Sequence, residues 1–454
     1  MNYSKIVGVV AFFTVVSIWS FILISTLRYI VFPNNILVNT DIDLSIPTLI
    51  PFGLNILYLC LSIFVFSFYL IKYGKVKDNH IRMLAKSSSY AHDYGLCSII
   101  IPARNEEAVI KKAVLTCLEQ TYKNIEVIVV CHNSNDRTFD EAQIGDRRVR
   151  VFDLKTKEAG KSIALNYGVE QSKGKYIIVV DADHELNKEF IDYAMPGFNE
   201  PYAAVQGRVQ AINRNYNFIT KMLSIEDDLW SDPIMTVRSL LGKRCPLLGT
   251  GFIIKKDILI EVGMFGKSLV DDYELGFRLF RKKYRILFTP LCMCSGEHPP
   301  TFEIMLRQRA RWAKGFIDLV NQRIAEPTDI LGNLYWMAPI AAISGAIMLG
   351  IVAYVSIFNT LFEYLPFAFA YIPLQAWFLI IALTLPLELM VLIRKHGWRG
   401  IRLAPYLLPY ILFSQYSVVV LIKAFFVKSW GVTKTTHGFV PSRAEVKVLQ
   451  GESK

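Results

Sequence analysis

Two aspartates separated by a single residue follow an apolar run near the middle of the chain, as Asp181-Ala182-Asp183. The run before them, which begins at Ile178, has the β-branched composition that favours a strand. Residues two apart on an extended strand point the same way, so the pair can present two carboxylates to one hard divalent cation. Such a cation keeps open positions that substrate phosphates fill. The pattern predicts a nucleotide-diphosphate site, with an ordinary exposed acidic loop as the alternative.

The composition favours a membrane protein with a polar domain between apolar segments. The chain has 454 residues, 53% of them apolar, and a formal net charge of +11, which excludes a small secreted disulfide protein and does not suggest a nucleic-acid binder. Its seven cysteines are odd in number and irregularly spaced, which indicates reduced thiols. A zinc site from Cys245, Cys292, Cys294 and His298 is disfavoured because two of these cysteines are one residue apart, unlike zinc-finger spacing.

Five apolar runs flank a polar block, and each reaches the length of about 20 residues that a membrane-crossing helix needs. They cover roughly Ile6 to Phe32, Ile46 to Ile71, Leu334 to Phe358, Phe367 to Ile393 and Ala404 to Val427. The first run is too long for a signal peptide and lacks a small-residue cleavage pattern, so we expect an uncleaved anchor.

Charges beside the apolar runs predict the orientation of the polar block. Lysines follow the second run, whereas the loop before it contains Asp41 and Asp43, so the positive-inside rule places residue 72 onward in the cytoplasm. A basic loop after Ile393 also favours a cytosolic connection. A third C-terminal crossing would then place the tail from Lys428 outside. Pro405 and Pro409 allow an in-plane or re-entrant piece instead, so the orientation of this last segment stays open.

The polar block shows short apolar runs that alternate with segments of helical periodicity. This alternation predicts a doubly wound, mostly parallel sheet with helices on both faces. The predicted strands are Leu96 to Ile101, Ile125 to Val130, Arg148 to Phe152 and Lys175 to Val180, and the predicted helices are Glu107 to Glu119 and Gly160 to Gln171.

Polar clusters follow three of these strands. They are Pro102-Ala103-Arg104-Asn105-Glu106, Cys131-His132-Asn133-Ser134-Asn135-Asp136 and Asp181-Ala182-Asp183. Ligands of such sheets bind beyond the carboxyl ends of the strands, where the loops converge. Each cluster alone has the composition of a turn, but three at one sheet edge indicate a binding site.

The order of these motifs resembles that of the family-2 glycosyltransferases, in particular the membrane-integrated branch with the cellulose, hyaluronan and poly-N-acetylglucosamine synthases. The resemblance covers the polar block and reaches into the flanking helices. It implies a fold of the GT-A type inserted between transmembrane helices.

The resemblance also implies which residues bind the donor. "IIIPARNEE" resembles the family's first strand and nucleotide-binding loop, and "VIVVCHNSNDRT" resembles the next strand and loop, where Cys131 and His132 replace an aspartate pair that usually contacts uracil. "GKSIALNYG" suggests that Lys161 lies near the diphosphate, and "VVDADHE" makes Asp183 the more direct metal ligand, with Asp181 nearer the nucleotide. The implied nucleotide-sugar residues are Pro102, Arg104, Asn105, Glu106, Asn133, Asp136, Lys161 and Asp181.

Two further motifs carry the implied catalytic residues. "LVDDYELGFRL" resembles the acidic motif whose second carboxylate is the base, here Asp272, with Asp271 beside it; a solvated helix start is the alternative. "RQRARW" contains Gln308, Arg311 and Trp312, which share one helix face. A basic amphipathic membrane helix is the alternative for this motif. The tail "SWGVTKTTHG" loosely resembles the family's endings near the active-site mouth.

Together the motifs imply an inverting glycosyltransferase that uses Mg²⁺ or Mn²⁺ and a nucleotide sugar, with UDP favoured weakly. The acceptor is expected to be a growing β-linked polysaccharide that crosses the bilayer, as in a processive synthase. A membrane-lipid acceptor is the first alternative, and a nucleotide-binding channel or transporter without chemistry is the second. The expected partners are the donor, the polysaccharide or lipid-linked acceptor and the lipid bilayer, with no nucleic acid.

The expected organisation has five parts in a multi-pass protein of the plasma membrane. Two transmembrane helices fill residues 1–75, a cytosolic GT-A domain residues 95–300, and an amphipathic interface helix residues 301–325. About three transmembrane helices follow in residues 334–427, before a basic tail in residues 428–454.

Overall fold

The computed structural model describes residue 57 and residues 60–72, 94–158, 160–199, 202–325 and 374–427. The chain divides into two compact units, one of Met1–Phe66 with Met337–Leu387 and the other of Ser67–Trp336 with Glu388–Lys454. The expected membrane runs at residues 6–32 and 334–358, and the basic tail at 428–454, lie outside the described residues.

The second unit is built on an eight-stranded sheet with the strand order β3-β2-β1-β4-β7-β6-β8-β5. The strands are β1 (Cys97–Ala103), β2 (Ile125–His132), β3 (Val149–Leu154), β4 (Tyr176–Val179), β5 (Glu185–Leu186), β6 (Tyr202–Ala211), β7 (Phe252–Lys255) and β8 (Arg285–Gly296).

The helices are named in chain order. They are α1 (Cys60–Lys72), α2 (Ile110–Leu118), α3 (Thr138–Glu141), α4 (Lys161–Gln171), α5 (Phe190–Ala194), α6 (Phe218–Glu226), α7 (Asp232–Leu240), α8 (Lys256–Glu261), α9 (Asp271–Arg281), α10 (Phe302–Asn321), α11 (Leu374–His396), α12 (Leu407–Phe413) and α13 (Tyr416–Ala424). A π-helical turn, Asp227–Ser231, joins α6 to α7, and 3₁₀ segments occupy Met195–Asn199 and Gly397–Tyr406.

Helices cover both faces of the sheet, as predicted. Ile99 and Ile100 are adjacent on β1, and because strand side chains alternate they enter different hydrophobic clusters. The Ile99 cluster includes Ile110 and Val114 of α2, and the Ile100 cluster includes Leu165 of α4. Two buried layers therefore hold the sheet in place from opposite sides.

The expectation of a mostly parallel sheet is correct for one half of it. β3, β2, β1 and β4 are parallel neighbours, and so are β6 and β8. β7 runs antiparallel to both β4 and β6, and β5 runs antiparallel to β8, so the sheet as a whole is mixed. The correction arises because the chain leaves β6 for a long helical excursion and returns to the same edge of the sheet, so that β7 runs back in the opposite direction.

Among the described residues, one helical stretch, Thr384–Ala424, is long and apolar enough to cross a membrane by length and composition. It has 41 residues and a mean hydropathy of 1.6 in its best window. The apolar helix α1 is shorter. The second expected C-terminal run is helical where it is described, from Leu374.

Candidate active site

The carboxyl ends of three parallel strands meet at one edge of the sheet. β2, β1 and β4 are neighbours, so the loops that begin at Asn133, Arg104 and Val180 leave the sheet side by side. β7 reaches the same edge from the other direction because it is antiparallel. The amide of Gly251 before β7 donates to the carbonyl of Val179 at 2.9 Å. The loop before β7 therefore joins the three loops that the sequence predicted.

A cavity of about 470 Å³ opens at this edge. Its walls contain most of the site residues that were predicted from the sequence, although these come from five separate stretches of the chain. The selected residues that line the cavity are Pro102, Arg104, Glu106, Lys161, Asp181, Asp183, Asp271, Asp272, Gln308, Arg311 and Trp312. Ligand pockets commonly measure roughly 300–1,000 Å³, so the cavity has room for a substrate.

The aspartate pair lies at the cavity edge together with a histidine. Asp181, Asp183 and His184 offer ligand atoms that all lie within 4.8 Å of one another, and no other such group occurs among the described residues. The amide of Asp181 donates to Oγ1 of Thr250 at 3.0 Å, which fixes the loop against the turn before β7. Nδ1 of His184 lies 2.6 Å from Oδ1 of Asp183 and orients that carboxylate.

This group of ligand atoms fits a divalent cation. Two carboxylates suit Mg²⁺ or Mn²⁺, and an imidazole hydrogen-bonded to a ligating carboxylate is a common supporting contact in metal sites. The imidazole of His184 lies against Gly296, where an added Cβ would clash with its Nε2. Gly296 therefore leaves the space that the ring needs beside Asp183.

Lys161 connects the aspartate pair to the rest of the cavity. It begins α4, and its Nζ lies 2.5 Å from Oδ1 of Asp181 and donates to the carbonyl of Gly249 at 2.9 Å. Burial alone would lower the pKa of Lys161, but the carboxylates of Asp181, Asp271 and Asp272 raise it above its ordinary value. A fixed cation thus stands among three carboxylates.

The acidic motif places two carboxylates at the first turn of α9, in the cavity wall. Burial raises the pKa of Asp272 to about 7, helped by neighbouring Asp271 and opposed by Lys161. Burial also raises the pKa of Asp271, and its Oδ2 is buried with no hydrogen-bond partner among the described residues. The motif is therefore unlike a solvated helix start. A carboxyl group that titrates near neutrality can act as a general base.

The Gln308, Arg311 and Trp312 motif lies on α10, which begins after the Thr301 N-cap. All three residues line the cavity, as their shared helix face predicted. Nη1 of Arg311 donates to the carbonyl of Leu269 at 3.0 Å, so this arginine holds the loop in front of the acidic motif. Trp312 and Tyr273 both pack against the hydrophobic cluster that contains Val270. The motif thus contacts the segment that carries Asp271 and Asp272.

Three of the selected loop residues do not line the cavity, namely Asn105, Asn133 and Asp136. Their side chains hydrogen-bond loop backbone instead: Asn105 Oδ1 accepts from the amide of Asn135 at 2.8 Å, and Asn133 Nδ2 donates to the carbonyl of Thr156 at 2.9 Å. Asp136 accepts from the amide of Thr138 at 3.0 Å. Asn105 and Asn133 also have φ angles of 57° and 53°, a conformation that asparagine tolerates better than most residues. These residues shape the loops that carry Arg104 and His132.

Sequence reasoning missed one wall of the cavity. The π-helical turn and the start of α7 contribute Asp227, Trp230, Ser231 and Asp232, and His298 lies opposite with Nε2 at 2.9 Å from Oδ2 of Asp227. Single π-turns within helices are frequent at functional sites. The run Glu226-Asp227-Asp228-Leu229-Trp230 was a usable signal, because three acids beside a tryptophan are unusual in a helix that is otherwise apolar.

Residues 98–263 match the family described as Glycosyl transferase family 2. Curated relatives align over 48% of this chain. A probable glycosyltransferase, YdaM of Bacillus subtilis, is 33% identical over 54% of its own length. A β-monoglucosyldiacylglycerol synthase of Trichormus variabilis is 31% identical over 48% of its length, and a poly-β-1,6-N-acetyl-D-glucosamine synthase of Staphylococcus aureus is 26% identical over 54%. The chain spans about half the length of the curated relatives it matches.

The fold is similar to that of a solved mannosyltransferase. PcManGT of Pyrobaculum calidifontis, in complex with GDP-Man and Mn²⁺, superposes with a TM-score of 0.51 at 18% identity. The match covers 81% of this chain and 98% of PcManGT. This likeness concerns the fold.

Proposed function

Because residues 98–263 match the family described as Glycosyl transferase family 2, we propose that the protein transfers a sugar from a nucleotide-sugar donor to an acceptor hydroxyl with inversion at the anomeric carbon. The observation that carries the proposal is the convergence of the aspartate pair, Lys161, the acidic motif and the Gln308–Trp312 motif on one cavity of about 470 Å³. The sequence resemblance favours UDP over GDP weakly as the nucleotide of the donor.

Donor binding is assigned to the metal side of the cavity. Asp181 and Asp183 would hold Mg²⁺ or Mn²⁺, with His184 orienting Asp183, and the cation supplies positive charge to the diphosphate when bound. Lys161 adds a second positive charge beside the cation site, because its ammonium group pairs with the carboxylate of Asp181. Lys161 stabilises the negative charge that develops on the leaving diphosphate, and a bound cation would add to this stabilisation.

Proton transfer is assigned to Asp272. Its carboxylate takes the proton of the acceptor hydroxyl while the hydroxyl oxygen attacks the anomeric carbon, and the bond from that carbon to the diphosphate oxygen breaks with its electron pair. A pKa near 7 suits this role, because a base works best when its pKa is close to the working pH. Trp312 offers an apolar surface for the acceptor next to this base.

We assign the acceptor to a growing β-linked polysaccharide and the enzyme to a multi-pass membrane synthase with a cytoplasmic catalytic domain. The similarity to the Staphylococcus aureus poly-β-1,6-N-acetyl-D-glucosamine synthase supports this choice. A membrane-lipid acceptor is the second candidate, and the similarity to the Trichormus variabilis β-monoglucosyldiacylglycerol synthase favours it. Both acceptors require the same chemistry at Asp272.

The experiment is sugar transfer by the membrane-embedded protein from a panel of radiolabelled nucleotide sugars, with Mg²⁺, with Mn²⁺ or with a chelator. High-mass labelled product that depends on the cation supports the synthase. A single labelled glycolipid supports the second candidate. Absence of transfer from every UDP- and GDP-sugar in either metal contradicts the proposed function.

A further inference from the structure

The end of α11 and the segment that follows it, together residues 395–427, contact other elements of the second unit. Nζ of Lys395 lies 2.6 Å from Oδ1 of Asp228 and also pairs with Asp232. Nε2 of His396 lies 2.7 Å from Oδ2 of Asp228. The Lys395 side chain is only 5% exposed, so this is a buried ionic contact with the cavity wall rather than a surface pair.

The middle of the same segment contacts α6. Nζ of Lys221 lies 5.2 Å from the centre of the Tyr406 ring, a cation–π distance. The rings of Phe218 and Phe413 are 6.1 Å apart in an edge-on arrangement. Both contacts belong to the first half of α6, while Lys395 contacts the π-turn that follows α6, so the segment runs along this helix.

The end of the segment is fixed to α6 and α10. The hydroxyl of Tyr416 donates to Oε2 of Glu226 at 2.7 Å, and Glu226 pairs at 3.0 Å with Nη2 of Arg309, one residue beyond Gln308. Val420 and Ala424 are buried in one cluster with Leu223 of α6 and with Met305, Leu306 and Ala313 of α10. The chain at Ala424 is therefore on the same unit as the chain at Lys395.

This arrangement is incompatible with one crossing of a bilayer between Lys395 and Ala424. The hydrocarbon core is about 30 Å thick, so the two ends of a crossing helix lie on opposite sides of the membrane. Here both ends and the middle contact α6, its π-turn or α10. The helical path is also broken, since the 3₁₀ segment Gly397–Tyr406 precedes α12 and a turn at residues 414–415 separates α12 from α13.

The outer side of the segment is apolar although protein covers only its inner side. Tyr416, Val420 and Ala424, spaced four apart, face α10. Large apolar side chains before, between and after them are exposed. The most exposed are Trp398 at 80%, Leu412 at 71%, Phe425 at 71% and Phe426 at 76%. Exposed apolar patches of this kind mark surfaces that a protein partner or a membrane covers.

The charges beside the patch indicate what covers it. Arg394, Arg399, Arg402 and Lys423 are exposed, and the sequence contains no aspartate or glutamate from Leu389 to the end of the described segment at Val427. Basic residues beside exposed tryptophan, leucine and phenylalanine are typical of helices that lie in the interface of an anionic membrane.

We propose that residues 397–427 lie in the plane of the bilayer, docked on the anionic lipid surface that faces the catalytic unit, instead of forming a further transmembrane helix. The inference rests on the proposed membrane location of the enzyme. It selects the in-plane alternative that the sequence left open for the last segment over a third C-terminal crossing, and it keeps Val427 on the catalytic side. Through Tyr416, Glu226 and Arg309, it also ties the membrane surface to the helix of the Gln308–Trp312 motif.

The test measures membrane depth at single sites in the full-length protein reconstituted in lipid nanodiscs. Nitroxide labels are attached in separate variants, Leu408→Cys, Leu412→Cys, Ile422→Cys and Phe425→Cys, all at exposed positions. The unsubstituted protein gives the background of the native thiols, which are free and, apart from Cys60, buried. Depth is read from the accessibility of each label to oxygen and to a water-soluble nickel complex.

The in-plane arrangement predicts that all four labels lie at similar depth, about 5–10 Å below the headgroups. A crossing predicts that labels at 408 and 425 differ in depth by about 25 Å, because 17 helical residues rise about 1.5 Å each; that result overturns the proposal. Strong spin–spin coupling between copies, with no contact between label and lipid, overturns it as well, because a second copy then covers the patch.

Lipid composition provides the second arm of the test. We expect the labels to lie at shallower depth in nanodiscs without anionic lipid. The double variant Arg399→Gln with Arg402→Gln should show the same shift in anionic nanodiscs. The control Arg307→Gln, whose side chain is exposed on α10, should leave the depth unchanged. Depth that is independent of both changes contradicts docking on anionic lipid. Sugar transfer is measured on the same samples, so an active protein with a crossing segment refutes this inference while the proposed function stands.

Discussion

Protonation of Asp272 is expected to control the rate of sugar transfer across the neutral pH range. Burial and the neighbouring Asp271 raise the pKa of Asp272 to about 7, and only the ionised form can accept the acceptor proton. Activity should therefore rise with pH through this value. An aspartate in water has a pKa of about 3.9, so a base of that kind would give a rate that does not change with pH in this range.

The size of the effect follows from the titration curve. With a pKa of about 7, the ionised fraction is about nine-tenths at pH 8 and about one-tenth at pH 6, so kcat/KM should fall about tenfold between them. Two variants should move the midpoint in opposite directions. Asp271→Asn removes a like charge and lowers the pKa of Asp272, whereas Lys161→Met removes a cation and raises it.

The assay is initial-rate transfer at saturating cation over a pH series, with each variant scaled to its own maximum. Glu303→Gln serves as the matched control, because this carboxylate is exposed on α10 and outside the cavity. Its midpoint should equal that of the unsubstituted protein. A flat profile from pH 5 to pH 8, or shifts of Asp271→Asn and Lys161→Met in the same direction, would refute the reasoning.

Other substitutions test the supporting geometry. Gly249→Ala places a Cβ 3.1 Å from Oδ2 of Asp272, at a residue whose φ is +77°. Sugar transfer should therefore fall at least about tenfold, and thermal unfolding should show that the free energy of unfolding is lower by about 1–2 kcal/mol. Asp183→Asn should weaken Mn²⁺ binding at least about tenfold in a manganese EPR titration, and unchanged affinity would exclude this carboxylate as a ligand. Tyr416→Phe removes one hydrogen-bond donor from buried Glu226, so chemical denaturation should show that the free energy of unfolding is lower by about 1–3 kcal/mol.

The sequence was sufficient to predict the first half of the sheet. Strands predicted at residues 125–130 and 175–180 are found at Ile125–His132 and Tyr176–Val179, and the helix predicted at residues 160–171 is found at Lys161–Gln171. These elements are short apolar runs or periodic helices that belong to local βαβ units. Local pattern therefore determined their type and their order.

The second half was not predictable in the same way. β6 and β8 are parallel neighbours separated by more than seventy residues, and β7 between them is antiparallel, so their pairing depends on contacts distant in sequence. The same reason explains the missed cavity wall. Asp227 and His298 meet across the cavity only after the two intervening strands and the helices between them have folded.

Most of the predicted site residues lie together on one cavity. The aspartate pair, Lys161, the acidic motif and the Gln308–Trp312 motif all line the cavity, because residue type and order carried the resemblance. The selected loop residues Asn105, Asn133 and Asp136 proved to bond loop backbone. Sequence cannot distinguish these two uses of a polar loop residue, since asparagine and aspartate suit turns and ligands equally.

The central claim is that Asp272 activates the acceptor in a pocket that binds the donor independently. The most direct measurement compares Asp272→Asn with Glu303→Gln for transfer of radiolabelled sugar and, in parallel, for equilibrium binding of the nucleotide sugar with Mn²⁺. We predict that Asp272→Asn loses at least about 100-fold in transfer while donor binding stays within a few fold. Undiminished transfer by Asp272→Asn would contradict the account.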